Sequence, residues 1–261
     1  MSSFFCNFAC ILTMNDMAAC NRTSEYEMTI IVPFFNEADN MPALEERMSR
    51  YLGRCSKKAC LLMVDDGSTD AGASMAQEMC SRNKNFFLIV LSRNTGLSGA
   101  LKAGIDACLS PIAAYIDADL QTDPEDFELL IPYLGENELV TGFRASRNDS
   151  FKRRAASSFA NRWRNIFTKD GMRDTCCPLK VMKTEVVKSI PFFSGMHRFL
   201  PALVKIEGGR CREVAVNHHK RIAGKSKYGI LNRLAGPFAD CFVLLWMRKR
   251  RINYTISESN L

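Results

Sequence analysis

The chain has 261 residues, of which 47% are hydrophobic, and its formal net charge is +7 at pH 7. A chain of this length and composition can bury a sizeable core, and one α/β domain commonly has this size. Its eleven cysteines are an odd number without a Cys-x-x-Cys pair, which argues against a zinc site and favours reduced, cytosolic thiols.

The charge is divided unevenly along the chain. Residues 1–140 contain 10 Lys and Arg against 20 Asp and Glu, whereas residues 141–261 contain 25 against 8. A basic half can contact nucleic acid, an anionic membrane surface or phosphorylated substrates. Because it contains nothing like a helix-turn-helix, a zinc finger or an aromatic RNA-binding platform, we expect no nucleic acid partner and favour a membrane surface and phosphate.

Residues 1–27 are predicted to form a flexible N-terminal extension. They include an apolar stretch at residues 4–12, but no basic residue precedes it, so the pattern does not favour a signal peptide.

Four short apolar runs predict strands at residues 29–32, 60–64, 86–91 and 112–116. Helical patterns follow the first three runs, at roughly 39–53, 70–82 and 97–109. Strand, polar loop and helix in repetition predict parallel βαβ units. In such sheets ligands bind outside the carboxyl ends of the strands, and the polar clusters of this sequence all follow strands.

Two carboxylates, Asp117 and Asp119, follow the fourth predicted strand one residue apart. Residues i and i+2 of a strand point to the same side, so both can face one cleft. Two converging carboxylates repel unless a cation lies near them, and hard oxygen ligands suit Mg²⁺ or Mn²⁺. The chemistry of the pair indicates a site for a metal-bound diphosphate, but the motif alone is weak and by itself favours the alternative, a solvated Asp-rich turn closed by Pro124. The other motifs of the chain shift the balance towards the metal site.

Four motifs carry a resemblance to a known family. In chain order they are V-P-F-F-N-E at 32–37, V-D-D-G-S-T-D at 64–70, N-T-G-L-S-G-A at 94–100 and D-A-D-L-Q-T-D-P at 117–124. From about residue 28 to 251 the chain resembles the family 2 glycosyltransferases, and more narrowly the dolichyl- and polyprenyl-phosphate sugar transferases such as dolichol-phosphate mannose synthase. The resemblance implies an α/β fold of the GT-A type, a Rossmann-like nucleotide-sugar-binding domain with a mostly parallel central sheet flanked by helices. We place the catalytic domain at residues 28–228 and an amphipathic, basic C-terminal segment at residues 229–261.

The resemblance also assigns the donor and the metal to residues of these motifs and of a basic loop at residues 218–229. The metal ligands would be Asp117, Asp119 and Gln121, and the two aspartates count as catalytic because the metal stabilises the departing diphosphate. The donor-binding residues would be Pro33, Asn36, Glu37, Asp65, Asp66, Gly96, Asp117, Ala118, Asp119, Gln121, Arg221 and Lys227.

The matching positions for the acceptor phosphate are Arg144, Arg153 and Ser157. Arg153 and Ser157 lie four apart on a predicted helix and share a face, where a guanidinium and a hydroxyl can clamp phosphate. The alternative for residues 152–154 is a solvated basic face. An ionised acceptor phosphate needs positioning and no general base, which makes Arg153 a catalytic candidate. A sugar hydroxyl acceptor would instead require a carboxylate base, and Asp174 would be the candidate.

One segment departs from the family pattern, and one histidine has no assigned role. Relatives commonly have a glycine-containing segment after the Asp-Thr pair, but residues 176–180 here are Cys-Cys-Pro-Leu-Lys, so we expect a reshaped loop beside the acceptor. His197 lies in a segment that resembles a family segment near the active site, and it could equally be a capping or core residue.

The apolar stretch at residues 231–247 is interrupted by Arg233, Pro237 and Asp240 and is followed by four basic residues at 248–251. Its uninterrupted part is far shorter than the ~20 residues that span a bilayer. We expect an amphipathic helix on an anionic membrane surface. The alternative is an ordinary packing helix with a solvated basic end.

Together these observations predict an inverting glycosyltransferase that depends on Mg²⁺ or Mn²⁺. It would move a sugar from a GDP- or UDP-linked donor to a polyprenyl or dolichyl phosphate, peripherally at the cytoplasmic face of a membrane and with room for an integral membrane partner. One alternative is a glycosyltransferase acting on a sugar hydroxyl in cell-envelope polysaccharide or glycan synthesis. Another is a non-enzymatic module that binds phosphate or nucleic acid.

Overall fold

The computed structural model describes residues 22–144, 163–219, 232–252 and 257–258. Within these ranges seven strands form a single sheet in the order β3-β2-β1-β4-β6-β5-β7. Strand β6 pairs antiparallel with both of its neighbours, and the other pairs are parallel. The strands are β1 Met28–Phe34, β2 Ala59–Asp65, β3 Phe86–Val90, β4 Ile112–Tyr115, β5 Leu139–Arg144, β6 Lys180–Lys183 and β7 Cys211–Val216.

Helices flank this sheet, and four short 3₁₀ turns connect elements in the described ranges. The helices are α1 Met41–Leu52, α2 Gly72–Arg82, α3 Leu97–Ala107, α4 Phe127–Leu130, α5 at residues 163–168, α6 Thr184–Ser189, α7 Leu200–Ile206 and α8 Asn232–Arg250. The 3₁₀ turns are Ala38–Asn40, Pro124–Asp126, Ile131–Tyr133 and Met196–Arg198. The mostly parallel sheet flanked by helices, predicted from the sequence, is confirmed.

The first three helices begin and end within two residues of their predicted limits. Helix α2 starts at Gly72 and not at Asp70, because the Asp70 carboxylate is used in the preceding turn. One of its oxygens accepts the Gly72 amide at 2.9 Å and the other accepts the Ala38 amide at 3.0 Å. Asp favours such turns because its side chain can replace a backbone acceptor.

Apolar residues cover both faces of the sheet. On strand β1, Ile30 and Val32 pack on one face with helices α1 and α2, whereas Ile31 packs on the other face with helices α3 and α7. All three side chains are fully buried. A strand buried on both faces is typical of a parallel sheet covered by helices, which explains why the run is continuously apolar.

The parallel strands β1, β2 and β4 end at the same edge of the sheet. In the register of the first two, Phe34 lies opposite Asp65, and the Asp66 amide donates to the Phe34 carbonyl at 2.9 Å. This pairing brings the segments that follow these strands together at one edge. Among the helices in the described ranges, none combines the length and the apolarity needed to cross a bilayer.

Candidate active site

A cleft at the carboxyl edge of the sheet brings the four sequence motifs together. It contains six of the predicted donor-binding residues, together with Phe34, Phe35, Asn94, Leu97 and Ala100. The six are Pro33, Glu37, Asp66, Asp117, Ala118 and Asp119. Residues as far apart in sequence as Pro33 and Asp119 therefore line one surface, as expected for a ligand site in a parallel α/β sheet.

A second, larger cavity of about 530 Å³ lies away from these motifs. Its lining includes Lys57 and Pro111, which precede strands β2 and β4, and Lys183, which ends the antiparallel strand β6. It therefore opens at the amino edge of the parallel strands. We place the chemistry in the smaller cleft, because that cleft contains the paired carboxylates.

Asn36 and Asp65 are not in the lining of the cleft, but their hydrogen bonds hold the loops that form it. Asn36 has a positive φ of 51°, and its Oδ1 accepts the amide of Thr69 at 2.7 Å. Its own amide donates to the Ser68 hydroxyl at 2.9 Å. Asp65 is buried, and its Oδ1 accepts the Ser68 amide at 3.0 Å. These bonds fasten the loop after β1 to the turn after β2, while a direct contact of either residue with a donor stays a prediction.

Asp66 connects that turn to the third motif. Its Oδ1 accepts both the amide and the hydroxyl of Thr95, at 2.7 and 2.8 Å. Gly67 follows with φ at +72°, and a Cβ there would lie 2.7 Å from the carbonyl carbon of Arg93. Gly96 also has a positive φ, of 79°, where helix α3 begins. Glycine adopts a positive φ without strain at both positions, and at Gly67 the missing Cβ also lets the turn after β2 approach the Arg93 backbone closely.

The paired carboxylates lie at the end of β4. The Tyr115 hydroxyl donates to Asp117 Oδ1 at 2.6 Å, and Asp119 Oδ1 accepts the Gln121 amide at 3.2 Å. Leu120, which directly follows Asp119, adopts a positive φ of 56° with a fully buried side chain. The buried leucine anchors the turn, so both aspartates lie in the lining of the cleft.

Electrostatics favour a cation at this pair. Burial raises the pKa of Asp117 to about 6 and repulsion by Asp119 adds to the increase, while Tyr115, Lys180 and Arg144 lower it. Two carboxylates and the nearby Gln121 form a hard oxygen donor set, which fits Mg²⁺ or Mn²⁺ that takes its remaining ligands from phosphate and water.

An ion pair joins two of the predicted site residues, Arg144 and Asp174. Arg144 donates through Nε to Asp174 Oδ2 at 2.7 Å and through Nη2 to Oδ1 at 2.9 Å. Burial acts to lower the pKa of Arg144, but the hydrogen bonds and charge of Asp174 raise it above its ordinary value. With both oxygens engaged, Asp174 is placed to hold the guanidinium, and in this arrangement it does not offer a free base. Arg153, Ser157, Arg221 and Lys227 lie outside the described residues.

Lys180 is a functional candidate that the sequence analysis missed. It is 1% exposed, and its Nζ donates to the carbonyls of Thr175 and Cys177 and lies 5.6 Å from the centre of the Tyr115 ring. Burial lowers its pKa, and its charge lowers the pKa of Asp117. The signal was a lysine within the apolar run of strand β6, where a cation is expected only with buried partners.

A second buried group holds the same loop. Arg164 Nε donates to Asp170 Oδ2 at 3.1 Å, and its Nη1 donates to the Thr175 hydroxyl at 2.8 Å. Together with Lys180, this ion pair fixes the segment that carries Asp174. Lys180 thus binds the Cys177 carbonyl within the Cys-Pro sequence, while Arg164 binds the Thr175 hydroxyl that precedes it.

His197 links helix α3 to the 3₁₀ turn Met196–Arg198. Its Nδ1 lies 2.7 Å from the Ser98 hydroxyl oxygen, which also accepts the amide of Gly195 at 3.1 Å. Burial lowers the pKa of His197 to about 3, with further lowering by Arg198 and Lys180. The imidazole is therefore neutral near pH 7 and bridges two elements beside the cleft.

Known proteins resemble the chain in sequence and in fold. The family described as Glycosyl transferase family 2 matches residues 29–190. A curated relative, dodecaprenyl-phosphate galacturonate synthase of Rhizobium johnstonii, is 37% identical over 210 residues, which cover 78% of this chain and 62% of the relative. The chain thus matches a little under two thirds of that protein's length.

Solved structures show the same fold at low sequence identity. Glucosyl-3-phosphoglycerate synthase from Mycobacterium tuberculosis, in complex with Mn²⁺, UDP and phosphoglyceric acid, is 15% identical with a TM-score of 0.64, covering 91% of this chain and 84% of that one. The same enzyme with Mn²⁺, UDP-glucose and phosphoglyceric acid is 14% identical with a TM-score of 0.62, covering 89% and 83%. The architecture is thus a GT-A fold.

Proposed function

Because the chain belongs to glycosyl transferase family 2, we propose that it transfers a sugar, with inversion, from a nucleotide-sugar to a polyprenyl phosphate. The observation that carries the proposal is the cleft in which the four motifs meet, with the paired carboxylates in its lining. The Arg144 guanidinium, paired with Asp174, is close enough for its charge to lower the pKa of Asp117. The relative's name, a dodecaprenyl-phosphate sugar synthase, supports the lipid phosphate acceptor.

On the donor side, Asp117, Asp119 and Gln121 would hold Mg²⁺ or Mn²⁺ against the diphosphate. When bound, the ion stabilises the negative charge that develops on the departing nucleoside diphosphate. Glu37 and Asp66 lie in the cleft lining at the ends of β1 and β2, where they would address the base and ribose. Pro33 fixes the backbone at the end of β1. A panel of UDP- and GDP-sugars distinguishes the two candidate nucleotides.

On the acceptor side, the guanidinium of Arg144 would bind the phosphate. Asp174 holds its Nε and Nη2, which fixes the plane of the fork and leaves the group positively charged. A phosphate oxygen is ionised near neutral pH, so attack on the anomeric carbon requires orientation and no general base. We propose that Arg153 and Ser157, outside the described residues, share this phosphate.

An exposed aromatic surface supports docking at a membrane. Phe238, Phe242 and Trp246 of helix α8 are 47%, 50% and 61% exposed. They form the aromatic surface together with Phe167 of helix α5, whose ring centroid lies 5.0 Å from that of Phe242. Apolar patches beside basic residues are typical of helices at an anionic bilayer. Arg248, Lys249 and Arg250 follow on the same helix.

Since the proposed acceptor is a lipid, we infer that the chain works peripherally on a membrane, at the cytoplasmic face. The alternative occupant of the same aromatic surface is an integral membrane partner. Binding of the chain to lipid vesicles that contain no protein tests the lipid directly.

The proposal is tested by measuring nucleoside diphosphate release from a panel of UDP- and GDP-sugars, including UDP-galacturonate. Each donor is assayed with Mg²⁺ or Mn²⁺, and with or without a polyprenyl phosphate in detergent. We expect release from one donor only when metal and lipid phosphate are both present. The variant Asp119→Ala should abolish it, whereas Glu136→Ala, an exposed carboxylate away from the cleft, should not.

Two results would contradict the proposal. Release that depends on a sugar hydroxyl acceptor and not on the lipid phosphate would favour the polysaccharide or glycan alternative. Failure of every nucleotide-sugar to bind in the presence of metal would exclude donor binding at this cleft.

A further inference from the structure

The loop that follows the paired carboxylates is fastened to the end of strand β7. The amide of His219 donates to the Gln121 carbonyl at 2.8 Å. The amide of Asn217 donates to Asp126 Oδ2 at 2.7 Å, and the Asn217 side-chain amide donates to Asp126 Oδ1 at 3.2 Å. We call these three hydrogen bonds the β7 clamp.

The clamp acts close to the proposed metal ligands. Gln121 also donates its amide to Asp119, so a shift of its backbone would move both. On the other side, Asn217 directly follows Val216, which is 5% exposed and lies opposite Arg144 in the sheet register. The clamp therefore joins the metal loop to the strand pair that carries the acceptor-side arginine.

Asp126 itself has the character of a positioning residue. It is 6% exposed and ends the 3₁₀ turn Pro124–Asp126, and both carboxylate oxygens accept hydrogen bonds from Asn217. A buried carboxylate persists at low cost only when its oxygens are satisfied. Its donors come from a segment 91 residues away in sequence, so these bonds fix tertiary placement beyond the local turn.

We propose that Asp126 and Asn217 position the metal-binding loop, holding Asp119 and Gln121 in the geometry that binds a metal–diphosphate. This inference rests on the proposed function. Residues that orient metal ligands from behind commonly affect metal affinity by about 10- to 100-fold. Neither Asp126 nor Asn217 need touch the metal or the donor.

Three variants separate hydrogen bonding from charge. Asp126→Ala removes both acceptors, and we expect it to weaken Mn²⁺-dependent binding of UDP or GDP about tenfold. Asn217→Ala loses only the side-chain bond, because its backbone amide still donates, and we expect a loss of roughly threefold. Asp126→Asn should stay within roughly threefold of the unsubstituted chain, because its amide oxygen can accept the backbone bond and its NH₂ can donate to the carbonyl of a flipped Asn217.

The measurement is calorimetric titration of the full chain with UDP and with GDP at several Mn²⁺ concentrations, alongside thermal unfolding. Higher Mn²⁺ should restore binding in Asp126→Ala, which a general loss of folded protein would not allow. Glu136→Ala serves as the control that removes an exposed charge. If Asp126→Ala does not fold, the roughly threefold loss of affinity expected for Asn217→Ala still tests the proposal.

Unchanged affinity in Asp126→Ala, or in Asn217→Ala where only that variant folds, would overturn the inference while leaving the proposed function intact. Asp126→Asn binding as weakly as Asp126→Ala would also overturn it, since charge would then be the requirement. If the unsubstituted chain binds neither nucleotide with Mn²⁺, the proposed function fails first, and this inference fails with it.

Discussion

Arg144 and Asp174 show how one ion pair can decide between two acceptor chemistries. Both side chains were candidates from the sequence, Arg144 as a phosphate ligand and Asp174 as a base for a hydroxyl acceptor. The structure engages both Asp174 oxygens with the guanidinium, at 2.7 and 2.9 Å. A carboxylate held in this way is suited to orienting a cation, which favours the phosphate acceptor.

The two acceptor chemistries predict opposite orders of severity for two substitutions. For a phosphate acceptor, Arg144→Ala should raise the acceptor KM and lower kcat/KM by roughly 10- to 100-fold, since a charged hydrogen bond contributes about 1.5–3 kcal/mol. Asp174→Asn keeps one acceptor oxygen for the arginine and should be milder. Steady-state kinetics with varied acceptor measure both. Abolished turnover in Asp174→Asn with a mild Arg144→Ala would instead indicate a general base.

The loss of metal binding at low pH should follow the protonation of Asp117. Its pKa of about 6 means that a proton competes with the cation as the pH falls through this value. We expect Mn²⁺-dependent nucleotide binding to weaken progressively below about pH 6 and to level off above it. Because the fold raises this pKa, the metal-free chain is destabilised by Asp117 above pH 6 and relieved when the group protonates.

The Tyr115 hydroxyl offers a matched test of the same assignment. It lowers the pKa of Asp117, so in Tyr115→Phe the loss of Mn²⁺-dependent nucleotide binding should begin at a higher pH. The shift is measured by titrating Mn²⁺-dependent nucleotide binding over a pH range that brackets the Asp117 pKa of about 6. If the pH at which binding is lost does not change, or becomes lower, a group other than Asp117 is responsible for the pH dependence.

Among the elements, helix α3 is closely packed against the sheet at Gly104. A Cβ at this position would overlap Ile31 Cγ2 and lie 3.2 Å from Val64 Cγ2. Alanine gains about 1 kcal/mol over glycine in a helix interior, whereas overpacking a core costs about 1–3 kcal/mol. We expect Gly104→Ala to lower the free energy of unfolding by about 1 kcal/mol, seen as a lower denaturant midpoint. Gly135→Ala, with open space around its position, should have little effect.

The elements that the sequence predicted well are those set by local pattern. The strand and helix periodicities of residues 28–116 predicted elements within about two residues of the observed limits, because each apolar run packs against the next βαβ unit. The antiparallel insertion of β6 between β4 and β5 could not be predicted in this way. It depends on pairing between Tyr115 and Lys180, 65 positions apart, for which no local pattern exists.

In the candidate site too, local sequence pattern predicted some residues, whereas others depend on contacts between distant segments. Asp117 and Asp119 could be found because two carboxylates two positions apart, directly after a predicted strand, indicate a shared site, although both lie in the segment that follows the end of β4 at Tyr115 and not on the strand itself. The β7 clamp and the Lys180 contacts escaped notice because each joins segments that only the complete sheet brings together. A buried lysine or aspartate is recognisable from sequence only when its apolar neighbours are seen to be buried as well.

Considered as a whole, the molecule combines an acidic half that carries the proposed donor site with a basic half that carries the exposed aromatic surface. Phe238 and Phe242 of that surface pack on α5, with Trp163 stacked on Phe238 at 4.6 Å between ring centroids. Helices α5 and α8 thus present aromatic rings together, and the basic residues 248–250 follow. Such an arrangement gives a membrane both an apolar and an electrostatic contact.

If this surface docks on lipid, the double variant Phe242→Ser with Trp246→Ser should bind vesicles of mixed zwitterionic and anionic lipid more weakly, by about tenfold or more. Raising the salt concentration should weaken binding further, because each Lys or Arg near the surface contributes about 1 kcal/mol. Co-sedimentation measures both effects, and Mn²⁺-dependent nucleotide binding should be unchanged. The control is Leu129→Ser, which removes a similarly exposed leucine, 46% exposed, from helix α4. Equal vesicle binding by the double variant and this control would mean that the surface contacts a protein partner or none, and would remove the physical basis for the membrane assignment.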